Sequence, residues 1–361
     1  MKYYKLPALL PALALLFTLA ACNPAADAPT DGPAQEATAT VSPTEESSSR
    51  PVETPSDVAP GEIRLAVLSG PTGVGAAKLL DNIDNSPANL SYGNYHYTIY
   101  TDNSELVAGL TKGEIDIATM ASNVAVNLYN KTDGGVKIIA GGTLGVLHIL
   151  EGSGGDSIHS VEDLRGKTIW SAGQGANPEY ILRHLLRESG LEAGTDVKIE
   201  FADAGEIQAK LLSGDIECAM LPVPAATAAI AKGEGKVRAA IDVTEAWDEL
   251  QGGQLIMTAV VVRTAYLETY PDLVDHFLTD YEKSIDYVNN NIDAAAELVA
   301  GYGITPSPAI AKQAIPQCHL VFLSGNEMMI AMSDYFLTLY AIDPSSVGGS
   351  VPDDGIYYVT R

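Results

Sequence analysis

The stretch ELVAGLTKGEIDIATMASNVA, residues 105–125, is repeated as EIQAKLLSGDIECAMLPVPAA at residues 206–226. The two copies are offset by a constant 101 residues and share seven identities, including the glycine pair Gly113 and Gly214. A register kept over a whole window is typical of an internal duplication. Each copy predicts a helix that stops at its glycine, a buried strand, and a loop that enters another helix.

A similar pattern precedes each copy. The apolar strand Ile63–Leu68 leads into a glycine-rich loop predicted at residues 70–75, and a helix is predicted over 76–83. A second such loop is predicted at residues 171–177. Strands that alternate with helices predict an α/β fold of two similar lobes, each a mainly parallel sheet flanked by helices. In such sheets, ligand-facing loops lie at the carboxyl ends of the strands.

The order of these segments predicts the boundaries of the lobes. We expect lobe one over residues 61–150 and lobe two over 151–253. Residues 254–361 are predicted to cross back and form helices that pack on lobe one. Two crossings between two lobes make a hinge, and a cleft between the lobes is where a small ligand would be enclosed.

The first 60 residues differ in composition from the rest. Lys2 and Lys5 precede the apolar run 6–19, which ends in the sequence LAAC with Cys22 as its last residue. This order resembles a bacterial lipoprotein signal, in which the cysteine is lipidated; an ordinary secretory signal is the alternative. Residues 23–60 contain no aromatic residue, which predicts a disordered tether. We therefore expect a lipid-anchored protein on the outer face of the cytoplasmic membrane.

Composition excludes several classes of function. The formal net charge is −25, and such a surface repels nucleic-acid phosphates. Three cysteines in 361 residues exclude a disulfide scaffold and any four-cysteine metal site. We expect a monomer without metal or cofactor. Cys218 and Cys318 are predicted in different lobes, so two buried thiols are favoured over a bridge that would block hinge motion.

Five segments carry a resemblance to a known family. They are IRLAVLSGPTGVGAAKLL at residues 63–80, the two runs 110–118 and 211–219, SVEDLRGKTI at 160–169, and GGSVPDDGIYY at 348–358. Together with the lipoprotein signal, the chain resembles substrate-binding lipoproteins of ABC importers with the type II periplasmic-binding fold. The branch it resembles binds sulfonates, taurine, nitrate and thiamine pyrimidines. The resemblance implies a small-molecule ligand and a membrane permease as partners, and it does not name the ligand.

Candidate ligand-binding residues lie on the predicted cleft loops. The first loop could offer backbone N–H groups to an anion or a carbonyl oxygen, or could be a plain tight turn. Ser122 and Asn123 could contact a ligand or merely cap the next helix. No predicted cleft loop contains arginine, so a bidentate clamp for an anion is not evident. The full set is Gly70, Thr72, Gly73, Ser122, Asn123, Thr143, Gly145, Gln174, Gly175, Asn177, Pro222 and Val223. Trp170 and Tyr92 could stack on a flat ligand, although core packing is the more common role of such residues.

The sequence leaves three functions open. The first is a binding protein that captures a small organic or anionic nutrient and delivers it to a permease. The second is an enzyme on the same fold, similar to a thiamine-pyrimidine synthase or a menaquinone-pathway dehydratase. The chain lacks the clustered cysteines of the synthase type, and no catalytic set can be singled out, so we expect no enzyme. The third is a ligand-sensing module that signals to a membrane kinase.

Overall fold

The computed structural model of the chain describes residues 61–251 and 254–359. The predicted signal segment, the lipidation residue Cys22 and the tether 23–60 lie outside the described residues. The described residues form two sheets, each flanked by helices.

The two sheets correspond to the two halves of the duplication. The first sheet has the order β2 (Tyr95–Tyr100), β1 (Ile63–Leu68), β3 (Ile117–Ala121), β10 (Thr258–Arg263), β4 (Val136–Thr143) and β11 (Leu320–Leu323). The second sheet has the order β7 (Lys198–Phe201), β6 (Thr168–Ser171), β8 (Cys218–Pro222), β5 (Leu147–Glu151) and β9 (Arg238–Asp242). We refer to the parts built on these sheets as lobe one and lobe two.

Helices cover the faces of both sheets. In the first half of the chain they are α1 (Pro71–Asn85), α2 (Asn103–Lys112), α3 (Ser122–Lys131) and α4 (Asn177–Glu188). The next four are α5 (Ala204–Ser213), α6 (Ala225–Lys232), α7 (Val243–Gln251) and α8 (Thr264–Thr269). The C-terminal helices are α9 (Pro271–Asn290), α10 (Ile292–Gly301), α11 (Pro308–Ala314) and α12 (Gly325–Ile342).

Strand pairing is mixed within each sheet. β1 pairs in parallel with β2 and β3, and β6 pairs in parallel with β7 and β8. β5 and β10, the strands that enter each sheet from the other lobe, pair antiparallel with both of their neighbours. Because β10 and β5 run against both of their neighbours, four strands of each sheet point in the same direction, and the expectation of mainly parallel sheets holds for these four. β11 at the edge of the first sheet also pairs antiparallel with β4.

The repeated segments fold alike. α2 and α5 end at Gly113 and Gly214, whose φ angles of 75° and 83° lie in the left-handed region that favours glycine. β3 and β8 follow; β3 pairs in parallel with β1, and β8 pairs in parallel with β6. The carboxyl ends of the parallel strands in both lobes thus carry equivalent loops.

The predicted loop at residues 70–75 is wrong over most of its length, because α1 begins at Pro71. Proline at the first helical position has the φ angle that a helix requires. Gly73 and Gly75 lie inside this helix, where a Cβ atom on Gly73 would approach Ile304 Cδ1 at 3.1 Å. The glycines allow close packing between helices here, and only Gly70 keeps a loop conformation, with a φ of 106°.

Two segments join the lobes side by side. The chain leaves β4 at Thr143 and enters β5 at Leu147, and it returns to β10 through residues before Thr258. The backbone N–H of Met257 donates to the carbonyl of Thr143 at 3.0 Å, so the two crossings are hydrogen-bonded to each other. The cysteines Cys218 and Cys318 are both free and buried, and burial raises the pKa of each thiol to about 12.

Lobe two contains a buried carboxylate whose protonation should affect stability. Burial alone would raise the pKa of Glu151, but hydrogen bonds from Ser157, the backbone N–H of Ile158 and Arg238 outweigh it and lower the pKa to about 2. Ser157 Oγ lies 2.6 Å from Glu151 Oε1, and Arg238 Nη2 lies 2.5 Å from Oε2. The ionised carboxylate therefore stabilises the folded state.

We predict that Glu151→Gln lowers the free energy of unfolding by about 2 kcal/mol at pH 7, because it removes charge-assisted hydrogen bonds. The folded-state pKa lies below the unfolded one of about 4.3, so the wild-type advantage is complete above that value and is lost as pH falls towards 2. Urea unfolding between pH 3 and pH 7 measures this difference. The exposed Glu297→Gln is the control, and a wild-type advantage that does not shrink below pH 4 would contradict the assignment.

Candidate functional site

A cleft of about 1170 Å³ lies between the two lobes. Its walls are the segments that follow β1, β2 and β3 in lobe one and β6, β7 and β8 in lobe two. The loop between α10 and α11 adds Gly303, Ile304 and Pro306. The cleft therefore lies at the carboxyl ends of the parallel strands of both sheets, where α/β proteins commonly bind ligands.

The cleft wall combines apolar surface with a few polar groups. Apolar side chains come from both lobes and include Leu68, Val107, Val124, Phe201, Pro222 and Pro224. Polar side chains include Thr101, Asn103, Gln174, Asn177, Gln208 and Thr258. The charged side chains among the lining residues are Asp102 and Asp203. Such a wall fits a small organic molecule that is held by a limited number of hydrogen bonds.

A buried cluster of amide groups joins the two lobes beside the cleft. The Asn177 side chain of lobe two donates to Ser122 Oγ at 3.0 Å and to the Met257 carbonyl at 2.8 Å. The backbone N–H of Asn177 donates to Asn123 Oδ1 at 2.9 Å, and Asn123 Nδ2 donates to the Gly175 carbonyl at 3.2 Å. Ser122, Asn123 and Asn177 are each fully buried. We call these residues, with Gly175, the interlobe cluster.

Neither a metal site nor a membrane span is found in residues 61–251 and 254–359. No group of three or more His, Cys, Asp or Glu side chains there is arranged to hold a metal ion. Within the same residues, every helix is too short or too polar to cross a bilayer.

The sequence matches a known family over much of this body. The family described as NMT1/THI5 like matches residues 96–295, more than half of the chain. The chain belongs to the NMT1/THI5-like family. The matched range covers parts of both lobes and both crossings. A search of curated proteins gave no match.

Solved structures place this NMT1/THI5-like protein among periplasmic-binding folds. An ABC transporter structure from Parabacteroides distasonis is 24% identical, with a TM-score of 0.68 over 83% of this chain and 100% of that chain. The periplasmic aliphatic sulphonate binding protein of Escherichia coli is 15% identical, with a TM-score of 0.63 over 82% and 96%. A Candida albicans protein described as having the generic periplasmic binding protein fold is 13% identical, with a TM-score of 0.56 over 82% and 93%.

These comparisons confirm the resemblance that the sequence motifs indicated, together with the two-lobed α/β fold. At these identities the structural likeness establishes the fold, and it leaves the ligand of this NMT1/THI5-like protein to be argued from its own cleft.

Five of the twelve predicted residues line the cleft. They are Gly70, Thr72, Gln174, Asn177 and Pro222. The Thr72 hydroxyl is already used, since it donates to the Leu68 carbonyl within its own turn. Gln174 is exposed at the cleft surface, so its amide is accessible to a ligand.

Four predicted residues are packed inside the protein and do not line the cleft. Gly73 lies against Ile304, in the loop that follows α10, and Gly145 lies so close to Thr244 that a Cβ atom would approach its Oγ1 at 2.1 Å. Thr143 is fully buried with its hydroxyl against that of Thr258. Val223 is buried, and its N–H donates to the Val146 carbonyl at 2.9 Å.

The remaining three, Ser122, Asn123 and Gly175, lie in the interlobe cluster and not in the cleft lining. Sequence alone identified Ser122 and Asn123 as polar residues that follow a strand, and Gly175 as part of the lobe-two loop. Ser122 Oγ donates to the Ile256 carbonyl at 2.5 Å, so its hydroxyl has a partner in the protein. Asn123 and Gly175 contact each other across the lobes.

Trp170 and Tyr92 also lie away from the cleft lining. Lys210 Nζ lies 3.9 Å from the centroid of the Trp170 ring, a cation–π contact at the surface of lobe two. Tyr92 donates its hydroxyl to the Gly61 carbonyl and stacks on His276 with ring centroids 6.2 Å apart. Both rings therefore have structural partners.

The sequence reasoning missed Asp102 and Asp203, the charged residues of the cleft. They occupy equivalent positions, because their spacing equals the repeat offset of 101 residues. Extending the repeat by three residues towards the N-terminus would have included both. Gln208, Phe201 and Thr258 gave no comparable sequence signal.

Proposed function

We propose that this chain is the extracytoplasmic substrate-binding lipoprotein of an ABC importer. It captures a small nutrient in the cleft between its lobes and delivers it to a membrane permease. The observation that carries the proposal is the cleft itself, which is walled by equivalent loops of two duplicated lobes and bounded by two adjacent chain crossings. Two lobes on a double connection can close on a ligand without any chemical step.

The family and fold support this proposal. Structures with the same fold include an ABC transporter component and a sulphonate-binding protein. Attachment by a lipid to the outer face of the cytoplasmic membrane is supported by the predicted export signal, by Cys22 and by the predicted tether 23–60. Replacement of Cys22 by serine should release the protein from membranes into the soluble fraction, whereas retention on membranes would contradict lipid anchoring at this residue.

The binding role is tested with the full chain carrying Cys22→Ser. A panel of thiamine pyrimidines, taurine, alkylsulfonates, nitrate, bicarbonate and flavins is screened by thermal shift. A ligand present at 100 times its Kd should stabilise the fold by about 2.7 kcal/mol. Any ligand found is then incubated with the protein and recovered. If the ligand is recovered unchanged, the result supports transport or sensing. If it is recovered as a different compound, the result supports an enzyme.

We predict that Gln174→Ala weakens binding of such a ligand about tenfold, because it removes one hydrogen bond of a largely enclosed ligand. Isothermal titration measures the change in Kd. Gln313→Ala is the matched control, since Gln313 is an exposed glutamine outside the cleft lining. An unchanged Kd for Gln174→Ala would remove this side chain from the site.

A further inference from the structure

The charged side chains that line the cleft are all negative. Asp102 of lobe one and Asp203 of lobe two line it, and none of the described lining residues is lysine, arginine or histidine. Both carboxylates are exposed to solvent in the cleft. A small ion that enters the cleft therefore experiences negative charge from both sides.

The two aspartates stand at the helix ends where an anion would otherwise bind. Asp102 immediately precedes α2, and its Oδ1 accepts the Ser104 N–H at 2.6 Å. Bonds from Ser104 lower the pKa of Asp102 below its usual value, so it is ionised at neutral pH. Asp203 immediately precedes α5, and its side chain makes no capping hydrogen bond there. Its carboxylate remains available to a ligand.

The start of α4 is also unsuited to an anion. The N–H of Asn177 is already donated to Asn123 Oδ1, and the next residue, Pro178, has no N–H. Helix starts hold anions through free N–H groups. At the cleft, the start of α2 is capped, the start of α5 carries a carboxylate, and the first N–H of α4 is occupied. The starts of α1 at Gly70 and of α6 at Pro224 have no side-chain cap and still leave places for hydrogen-bond acceptors of the ligand.

A second, independent observation concerns Asn177, which lines the same cleft. Its side chain is fully buried, and Oδ1 has no hydrogen-bond partner among the described residues. The amide orientation is set by Nδ2, which donates to the Met257 carbonyl, a group that can only accept. Oδ1 is therefore an acceptor, and a buried acceptor without a donor favours a ligand that supplies an N–H or O–H group.

We propose that the cleft selects a small organic ligand that carries a protonated amino group, with Asp102 and Asp203 neutralising the charge and Asn177 Oδ1 accepting a hydrogen bond from the ligand. The inference rests on the proposed binding function and narrows its ligand to a cationic nitrogen compound. It separates this protein from sulfonate binding, because a sulfonate would approach two carboxylates without a compensating cation.

The test uses four compounds of four carbons that differ in charge: 1,4-diaminobutane, 4-amino-1-butanol, 1,4-butanediol and 1-butanesulfonate. Titration into the full chain carrying Cys22→Ser should give the tightest binding for the diamine, weaker binding for the amino alcohol, and none for the sulfonate. Asp102→Asn and Asp203→Asn should each weaken diamine binding about tenfold, since each removes one ion pair with the ligand. Raising the ionic strength should weaken it further.

Glu268→Gln is the charge-matched control, because it removes one exposed carboxylate outside the cleft lining. Asparagine retains the capping ability of aspartate, so both variants should fold. Tighter binding of the sulfonate than of the diamine, or an unchanged diamine Kd in a variant that carries both Asp102→Asn and Asp203→Asn, would overturn the inference. A protein that binds none of the four compounds but binds nitrate, bicarbonate, an alkylsulfonate or a flavin from the nutrient panel loses this inference alone. One that binds neither set loses the proposed function as well.

Discussion

Replacing Asp116 with asparagine should lower the free energy of unfolding by about 3–5 kcal/mol, the usual cost of leaving buried charges without a partner. Asp116 is fully buried beside β3 and binds two arginines. Arg64 donates to it from Nε at 2.8 Å and Nη2 at 2.6 Å, and Arg263 donates from Nη2 at 2.7 Å. Because Arg64 is in β1 and Arg263 is in β10, this carboxylate connects the start of lobe one to the returning crossing strand.

The repeat supplies the control for this experiment. The residue equivalent to Asp116 in lobe two is Glu217, which is exposed and forms no ion pair with an arginine of the described residues. Glu217→Gln should change the unfolding free energy by less than about 0.5 kcal/mol. Urea denaturation of both variants at pH 7 measures the contrast. Equal effects of the two substitutions would contradict the role given to the Asp116 cluster.

The repeat also explains which parts of the fold were predictable. A helix that ends at glycine, followed by a short apolar strand, is determined by local residues, so α2 with β3 and α5 with β8 followed from the sequence. α1 was misplaced because glycine and proline at residues 70–75 resemble a turn. In the structure Pro71 is the first residue of the helix, and Gly73 packs against Ile304, which is distant in sequence. Likewise, the antiparallel entry of β5 and β10 depends on the path between lobes.

The site was less predictable for a related reason. Polar residues near strand ends can serve a ligand or the opposite lobe, and only the contacts across the cleft distinguish the two. Asn123 and Asn177 were both predicted to bind the ligand, yet Asn177 lines the cleft and Asn123 does not. Asn123 instead accepts a hydrogen bond from the opposite lobe. An aspartate before a helix is ordinarily explained as a cap, so the sequence pattern did not distinguish Asp102 and Asp203 from ordinary caps. Their position on one cleft is seen in the structure.

Asn123→Ala should weaken ligand binding about 30- to 150-fold, although Asn123 does not line the cleft. The substitution removes the acceptor of the buried Asn177 N–H and the donor to the Gly175 carbonyl, both across the lobe boundary. It also removes a 3.3 Å bond from Asn123 Nδ2 to the Ser346 carbonyl in the C-terminal segment. Removing the hydrogen bonds across the lobe boundary costs about 2–3 kcal/mol of contact energy between the lobes. The free protein then spends less time with the two halves of the cleft facing each other, and the apparent affinity falls in proportion to that population. Titration gives the affinity, and small-angle scattering without ligand should give a larger radius of gyration.

The matched control lies on the same helix. Asn130 Nδ2 donates to the carbonyls of Val347 at 2.7 Å and Ser350 at 2.8 Å, so Asn130→Ala also removes two amide hydrogen bonds. These partners belong to the C-terminal segment packed on α3, and neither is in lobe two. Asn130→Ala should therefore reduce stability by a similar amount while leaving the radius of gyration and the affinity within twofold of wild type. If the two variants lose affinity equally, the effect arises from weakening of α3, and the interlobe cluster has no separate part in binding.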